Sequence, residues 1–226
     1  MKVLNCEQAS RQWFLARRVR PTGSGLGNIV TPTGKAVSGQ KRETYLYELL
    51  GERITGQTTE VYVSAAMERG TKLEPEARSW YQMTTGNAVE QVGFIYGLDG
   101  RTGCSPDGLI GEDGGLEIKC STLPVHLKNV LAGGVPATWS VQVQACLWIT
   151  GRKFWDVCLY TDAVNVPSVV IRAEPDIKVI STLAAEVPAF CDELDALEAK
   201  IREQYDIPLP PAIDIEQASG DVVYPF

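Results

Sequence analysis

Apolar positions along the chain follow two periods. A spacing of three and four puts Ala9, Trp13 and Ala16 on one side of the stretch from Glu7 to Arg18 and predicts a short amphipathic helix there. The same spacing predicts helices over Glu43 to Leu50 and Ala65 to Met83, the second interrupted at Pro75. The longest stripe, from Ile177 to Ile201, carries Ile180, Leu183, Val187, Phe190, Leu194 and Leu197, with a kink expected at Pro188. Strands are predicted at Val89 to Tyr96, Lys153 to Tyr160 and Ser168 to Ala173. Ser105 to Cys120 reads as a hairpin turning at Glu112-Asp113-Gly114-Gly115. One stretch conflicts with itself. Trp139, Val141, Val143, Ala145, Leu147 and Ile149 alternate as in a strand, yet the run is long enough for a helix. The Gly- and Thr-rich segment between Arg20 and Arg42 reads as a loop with a short helical stretch, and the Pro-punctuated tail over 206–226 as extended chain.

Helices flanking a central set of strands predict an α/β domain. The 226 residues show no internal repeat and no linker, so residues 1–226 are read as a single domain. A content of 44% hydrophobic and 22% charged residues excludes wholesale disorder. No apolar run reaches the roughly 18 residues of a membrane span. The first residues lack a signal-peptide core, so a cytoplasmic location is expected. Six cysteines form no C-x-x-C pair, and His126 is the sole histidine, which argues against a zinc site. A Ser-His-Asp or Cys-His pair is likewise excluded unless His126 is itself the base.

Charge changes the picture. The net of −7, taken as a total, speaks against a nucleic-acid partner, but it is unevenly spread. Residues 1–42 hold eight basic residues and one acid, whereas residues 174–226 hold three basic residues and twelve acids. A basic element for phosphate, an acidic exterior and acidic metal ligands between them would account for that gradient; two oppositely charged solvated surfaces would also.

The stretch SPDGLIGEDGGLEIKC carries the chemistry. Strand alternation turns Glu117 and Lys119 to one face and Leu116 and Ile118 to the other, while the turn folds Asp107 back toward them. Two carboxylates and an ammonium then converge. Carboxylate oxygens suit Mg²⁺, which takes phosphate oxygens as further ligands. Before this, Arg17, Arg18 and Arg20 precede Gly23-Ser24-Gly25, where forked guanidinium bonds, a hydroxyl and loop amides can form an anion site.

The SPDGL and LEIKC segments resemble the signature of the PD-(D/E)xK nucleases. More narrowly, the chain resembles the phage lambda exonuclease and YqaJ-type viral recombinase group over roughly residues 8–161. The segment GTKLEPEARSWYQMTTG resembles the family helix with an upstream metal-site glutamate, which puts that role on Glu74. The segment SVQVQACLWITGRKFWDVCLY resembles the Q-x-Q helix and the strand after it, which puts the motif glutamine on Gln144 and favours helix over strand there. The W-x-x-x-R pattern and the small-residue motif after it resemble a 5′-phosphate pocket, on Arg17 and Ser24.

The resemblance implies a restriction-endonuclease-like core, with a mixed central sheet flanked by helices. It implies a Mg²⁺-dependent exonuclease, with two ions per site and Mn²⁺ as a substitute, digesting one strand of duplex DNA 5′→3′ from a phosphorylated end. It further implies a homotrimer, a single-strand annealing recombinase as partner, and a phage or prophage origin in a bacterial cell. The implied ligands are Glu74 and Asp107 for one metal, and Asp107, Glu117 and the Ile118 carbonyl for the other. Lys119 and Gln144 would position the water. Arg18, Arg20, Lys35, Lys41, Arg42 and His126 are candidate DNA contacts, with a surface histidine an equal reading of His126. Two other readings remain: a RecB-like or CRISPR-associated nuclease, disfavoured by the cysteine positions, and an inactive DNA-binding recombination module.

Overall fold

A computed structural model describes residues 2–57, 65–210 and 215. Seven strands and six α-helices follow one another along them. These are β1 (Lys2–Leu4), α1 (Arg11–Arg17), α2 (Gln40–Thr55), α3 (Ala65–Thr85), β2 (Phe94–Tyr96), β3 (Gly103–Cys104), β4 (Gly108–Ile110), β5 (Gly114–Lys119), α4 (Leu123–Ala132), α5 (Ala137–Thr150), β6 (Phe154–Leu159), β7 (Val169–Ala173) and α6 (Ile177–Tyr205). The strands form two sheets rather than one. The first is antiparallel in the order β1-β2-β3, and the second is mixed in the order β4-β5-β6-β7. Only β5 and β6 run parallel, with Glu117 opposite Val157, and α4 and α5 form the crossover between them. No helix of the described residues is long and apolar enough to cross a membrane.

Alternation on β6 divides the interior. Trp155, Val157 and Leu159 face the main core, built with Val143 and Leu147 of α5 and Leu183, Phe190 and Leu194 of α6. Cys158 and Tyr160 face the other way, into a second cluster with Leu116 and Ile118 of β5 and Ala77 and Tyr81 of α3. Strand β5 is thus apolar toward α3 and presents Glu117 and Lys119 on the face toward α5. Gly114 and Gly115 lie inside β5, not in the turn. A side chain at Gly115 would sit 2.2 Å from the Trp155 ring, so glycine lets the neighbouring strand lay its indole over the backbone.

Several elements depart from the sequence expectations. The strand expected over Val89 to Tyr96 is reduced to β2, and α4 and β1 carry no strong periodic signal. Helices α3 and α6 run without interruption through Pro75 and Pro188. Residues 139–149 are helical, as the family resemblance implied. Helix α5 is buried on nearly all sides, so its apolar positions need not follow a helical stripe, and the alternation is incidental. The expected extended tail lies largely outside the described residues; Asp206 closes α6 in a left-handed conformation.

Candidate active site

The catalytic candidates meet where the hairpin opens. Strand β4 pairs with β5 only from Ile110–Gly114 to Gly108–Leu116. Pro106 has no N–H to extend the ladder, so the edge of β5 is open beyond Leu116. The Asp107 carboxylate fills the vacancy, with Oδ2 accepting the Ile118 amide at 2.5 Å. Asp107 is fixed in turn by its own amide, which donates to the Leu116 carbonyl at 3.1 Å. On the same edge, Lys119 Nζ donates to Glu117 Oε1 at 2.7 Å, and Gln142 Nε2 of α5 donates to that oxygen at 2.6 Å. Glu117 is 3% exposed, and its second oxygen, Oε2, is buried with no partner among the described residues.

The electrostatics follow from this crowding. Burial, reinforced by the charges of Glu117 and Glu74, pushes the Asp107 carboxyl well above the usual carboxylate range. Burial alone would pull the Lys119 ammonium down, but Glu117 and Asp107 outweigh it, so Lys119 is a firm cation at neutral pH. Glu74 reaches the site as a charge and not as a contact. Its carboxylate pairs with Arg78, whose guanidinium also stands 3.0 and 3.1 Å from the Gln91 amide, which accepts from it once its oxygen is turned toward Arg78. Among the described residues, no three Asp, Glu, His or Cys side chains stand close enough to grip an ion as placed.

A second constellation adjoins the first. Arg17 donates to Ser105 Oγ at 3.0 Å and to Ser24 Oγ at 3.3 Å, and Trp13 Nε1 donates to Ser105 Oγ at 2.9 Å. The Arg17 guanidinium lies 4.3 Å from the Trp13 ring centroid. Gly25 belongs here by necessity, since a Cβ would fall 2.1 Å from the Tyr45 hydroxyl. Ser105 is two residues from Asp107, so the two groups share one short segment. Sequence reasoning missed Ser105, because a lone serine before Pro-Asp carries no periodic or charge signal.

The remaining predicted residues are placed differently. Gln144 does not reach the carboxylates. Its Nε2 donates to the Glu174 carbonyl at 2.9 Å and its Oε1 accepts the Asp176 amide at 2.7 Å, tying α5 to the start of α6. Two residues along a helix rotate by about 200°, so only one of Gln142 and Gln144 can face β5, and it is Gln142. His126 is 1% exposed and shares a hydrogen bond of 2.9 Å with the Pro167 carbonyl, which removes it from any DNA-contacting surface. Ile118 contributes its amide to Asp107.

Arg18 and Arg20 donate to the carbonyls of Gly56 and Gly100. They line a cleft of about 390 Å³ with Arg53 and Arg101. Asp192, Asp195 and Glu198 of α6 pair with Arg53 and Arg101. Arg42 pairs with Glu193 of α6 at 2.6 Å. Lys35 and Lys41 are exposed, the latter donating to the Gly27 carbonyl at 2.8 Å. Part of the charge gradient is therefore spent inside the molecule, where acids of α6 meet bases from earlier in the chain.

The mixed sheet flanked by helices matches the architecture of solved exonucleases. Residues 12–153 match the YqaJ-like viral recombinase domain, and the chain belongs to that family. The structure is similar to LHK-Exo in complex with dAMP, at 33% identity and a TM-score of 0.79 over 87% of this chain and 98% of that one. It is equally similar to the alkaline exonuclease LHK-Exo from Laribacter hongkongensis, at 32% identity and 0.78 over the same shares. A phage related exonuclease from Haemophilus somnus 129PT shares the fold, at 14% identity and 0.60 over 88% of this chain and 97% of that one. No protein of curated function matches the chain.

Proposed function

We propose that the chain is a metal-dependent exodeoxyribonuclease of the alkaline exonuclease kind. It digests one strand of duplex DNA 5′→3′ from a 5′-phosphorylated end, releases mononucleotides and leaves a 3′ single strand for an annealing recombinase. The observation that carries this reading is the adjacency of two unlike sites. One is the acidic edge of Asp107, Glu117 and Lys119, and the other is the anion pocket of Arg17, Ser24 and Ser105. An enzyme that grips a terminal phosphate and cuts the next phosphodiester needs both, one nucleotide apart. The mononucleotide dAMP in the LHK-Exo structure is the product such an arrangement yields.

The residues fit divalent cations. Glu117 leaves a buried oxygen unpartnered, and the burial that raises the Asp107 pKa, reinforced by the charges of Glu117 and Glu74, disfavours a bare carboxylate that a cation would stabilise. All-oxygen donors suit two Mg²⁺ ions, with Mn²⁺ as a substitute. Asp107, Glu117 and the Ile118 carbonyl would hold one, and Glu74 with Asp107 the other. When bound, such ions offset charge at the scissile phosphate and make water a better nucleophile. The chain's own groups do the rest. Arg17, Ser24 and Ser105 fix the end, Lys119 faces the developing negative charge as a permanent cation, and Gln142 holds Glu117 in register. A homotrimer and a phage-type recombination role accompany this reading by family resemblance.

The test is digestion of a duplex with one 5′-phosphorylated and one 5′-hydroxyl end, in Mg²⁺ or in EDTA. The expected result is metal-dependent release of mononucleotides, faster from the phosphorylated end. Internal cuts, or loss of 3′ ends first, would overturn it.

A further inference from the structure

Helix α5 meets the working edge of β5 through two side chains one turn apart. Gln142 bonds Glu117, and Trp139, three residues earlier on the same face, stands beside Lys119. The Lys119 ammonium lies 5.5 Å from the Trp139 ring centroid, while donating to Glu117 at 2.7 Å. The indole is itself seated, because Trp139 packs against the main hydrophobic core. Lys119 is thus held between a carboxylate and an aromatic face. An ammonium has three donors, and Glu117 takes one. A ring face attracts the cation through its quadrupole without taking a directed hydrogen bond, which leaves donors for substrate.

We propose that Trp139 is the positioning residue for Lys119, holding the ammonium on the Glu117 side of the edge. The kinetic consequence rests on the nuclease reading above, whereas the structural consequence stands without it. A tryptophan that only filled the core would, when removed, lower thermal stability and leave the turnover of the folded enzyme alone. A positioning tryptophan would lower turnover without weakening DNA binding.

The experiment compares full-length Trp139→Ala, Trp139→Leu and Trp139→Phe with the unsubstituted protein. It measures melting temperature, kcat and KM on 5′-phosphorylated duplex with Mg²⁺, and acetylation of Lys119 relative to the exposed Lys128, read by peptide mass spectrometry. For a largely desolvated cation–π contact, kcat of Trp139→Ala should fall about 5- to 30-fold with KM within about twofold, and Trp139→Phe should recover to within about threefold. Acetylation of Lys119 relative to Lys128 should rise in the Ala and Leu variants and stay level in the Phe variant. A folded Trp139→Ala with unchanged kcat, a Phe variant as slow as the Ala variant, or an unchanged acetylation ratio overturns the proposal. If Trp139→Ala does not fold, the Leu and Phe variants decide the same question. If the unsubstituted protein shows no metal-dependent cleavage, the nuclease reading fails, and the acetylation ratio alone decides the role of Trp139.

Discussion

Replacing the two glutamines of α5 one at a time should give opposite phenotypes. Gln144 is 8% exposed and spends both ends of its amide on backbone, at 2.9 and 2.7 Å. Gln144→Ala therefore strands the Glu174 carbonyl and the Asp176 amide just ahead of α6, whose N-terminus Asp176 caps. A backbone group left without a partner costs about 1–3 kcal/mol when buried, and these two, on exposed residues and only partly covered, fall at the low end, so a loss of about 2–3 kcal/mol is expected for the pair. For a chain of this size each kcal/mol moves the melting temperature by roughly 2–4 °C, giving a fall of about 4–12 °C. Turnover measured well below that melting point should stay within about twofold, because Gln144 does not touch the carboxylates. Gln142→Ala removes only the 2.6 Å bond to Glu117, whose Oε1 keeps Lys119. Its melting temperature should hold, while kcat falls about 10- to 100-fold, the usual cost of losing a group that orients a metal-binding carboxylate. Calorimetry and single-turnover digestion of both variants check this. A Gln144→Ala protein of normal stability but lost activity would refute the placement of the two side chains.

Asp107→Ala or Lys119→Ala should abolish digestion, a loss of at least about 10³-fold, while gel-shift affinity for duplex DNA stays within a few-fold. Arg17→Ala should erase the preference for phosphorylated over hydroxyl ends. Ser105→Ala should weaken that preference by about 10- to 150-fold through loss of one hydrogen bond to a charged phosphate, read as a ratio of initial rates on the two ends. The raised Asp107 pKa has a sign that can be checked: its folded state holds the proton more tightly than the unfolded chain, so Asp107 lowers metal-free stability as pH rises from about 3.8 through its raised value. Melting curves in EDTA should show Asp107→Asn more stable than the unsubstituted protein at neutral pH. Mg²⁺ should stabilise only the latter.

The legible part of the molecule was whatever a period or a charge announces. The β4–β5 hairpin was readable because Gly, Asp and an alternating E-x-K strand occur together, and alternation alone put Glu117 and Lys119 on one face. Long-range partners were not readable. Arg78 four residues after Glu74 is an ordinary helical ion pair in sequence, and only the fold brings Gln91 onto the same guanidinium. Helix α5 hid its identity because burial on nearly every side removes the contrast a periodicity needs. The family resemblance set His126, seven residues after Lys119, near the substrate end. It is instead a core histidine spanning to the Pro167 carbonyl, a pairing 41 residues away in sequence.

The acids of α6 also bear on how tightly the protein holds DNA as salt is added. Each base that neutralises a phosphate releases condensed counterions, and each contributes roughly −0.9 to the slope of log affinity against log salt. Arg42 is neutralised by Glu193, and Arg18 and Arg20 are turned onto backbone carbonyls. Arg42 releases no counterions unless DNA first displaces Glu193, and Arg18 and Arg20, still charged, release them only where a phosphate reaches them beside those carbonyls. The measured slope should therefore be shallower than the eight bases of the first 42 residues imply. An enzyme that must advance along its substrate gains from that shallowness, since steps between neighbouring phosphates then break fewer ionic contacts.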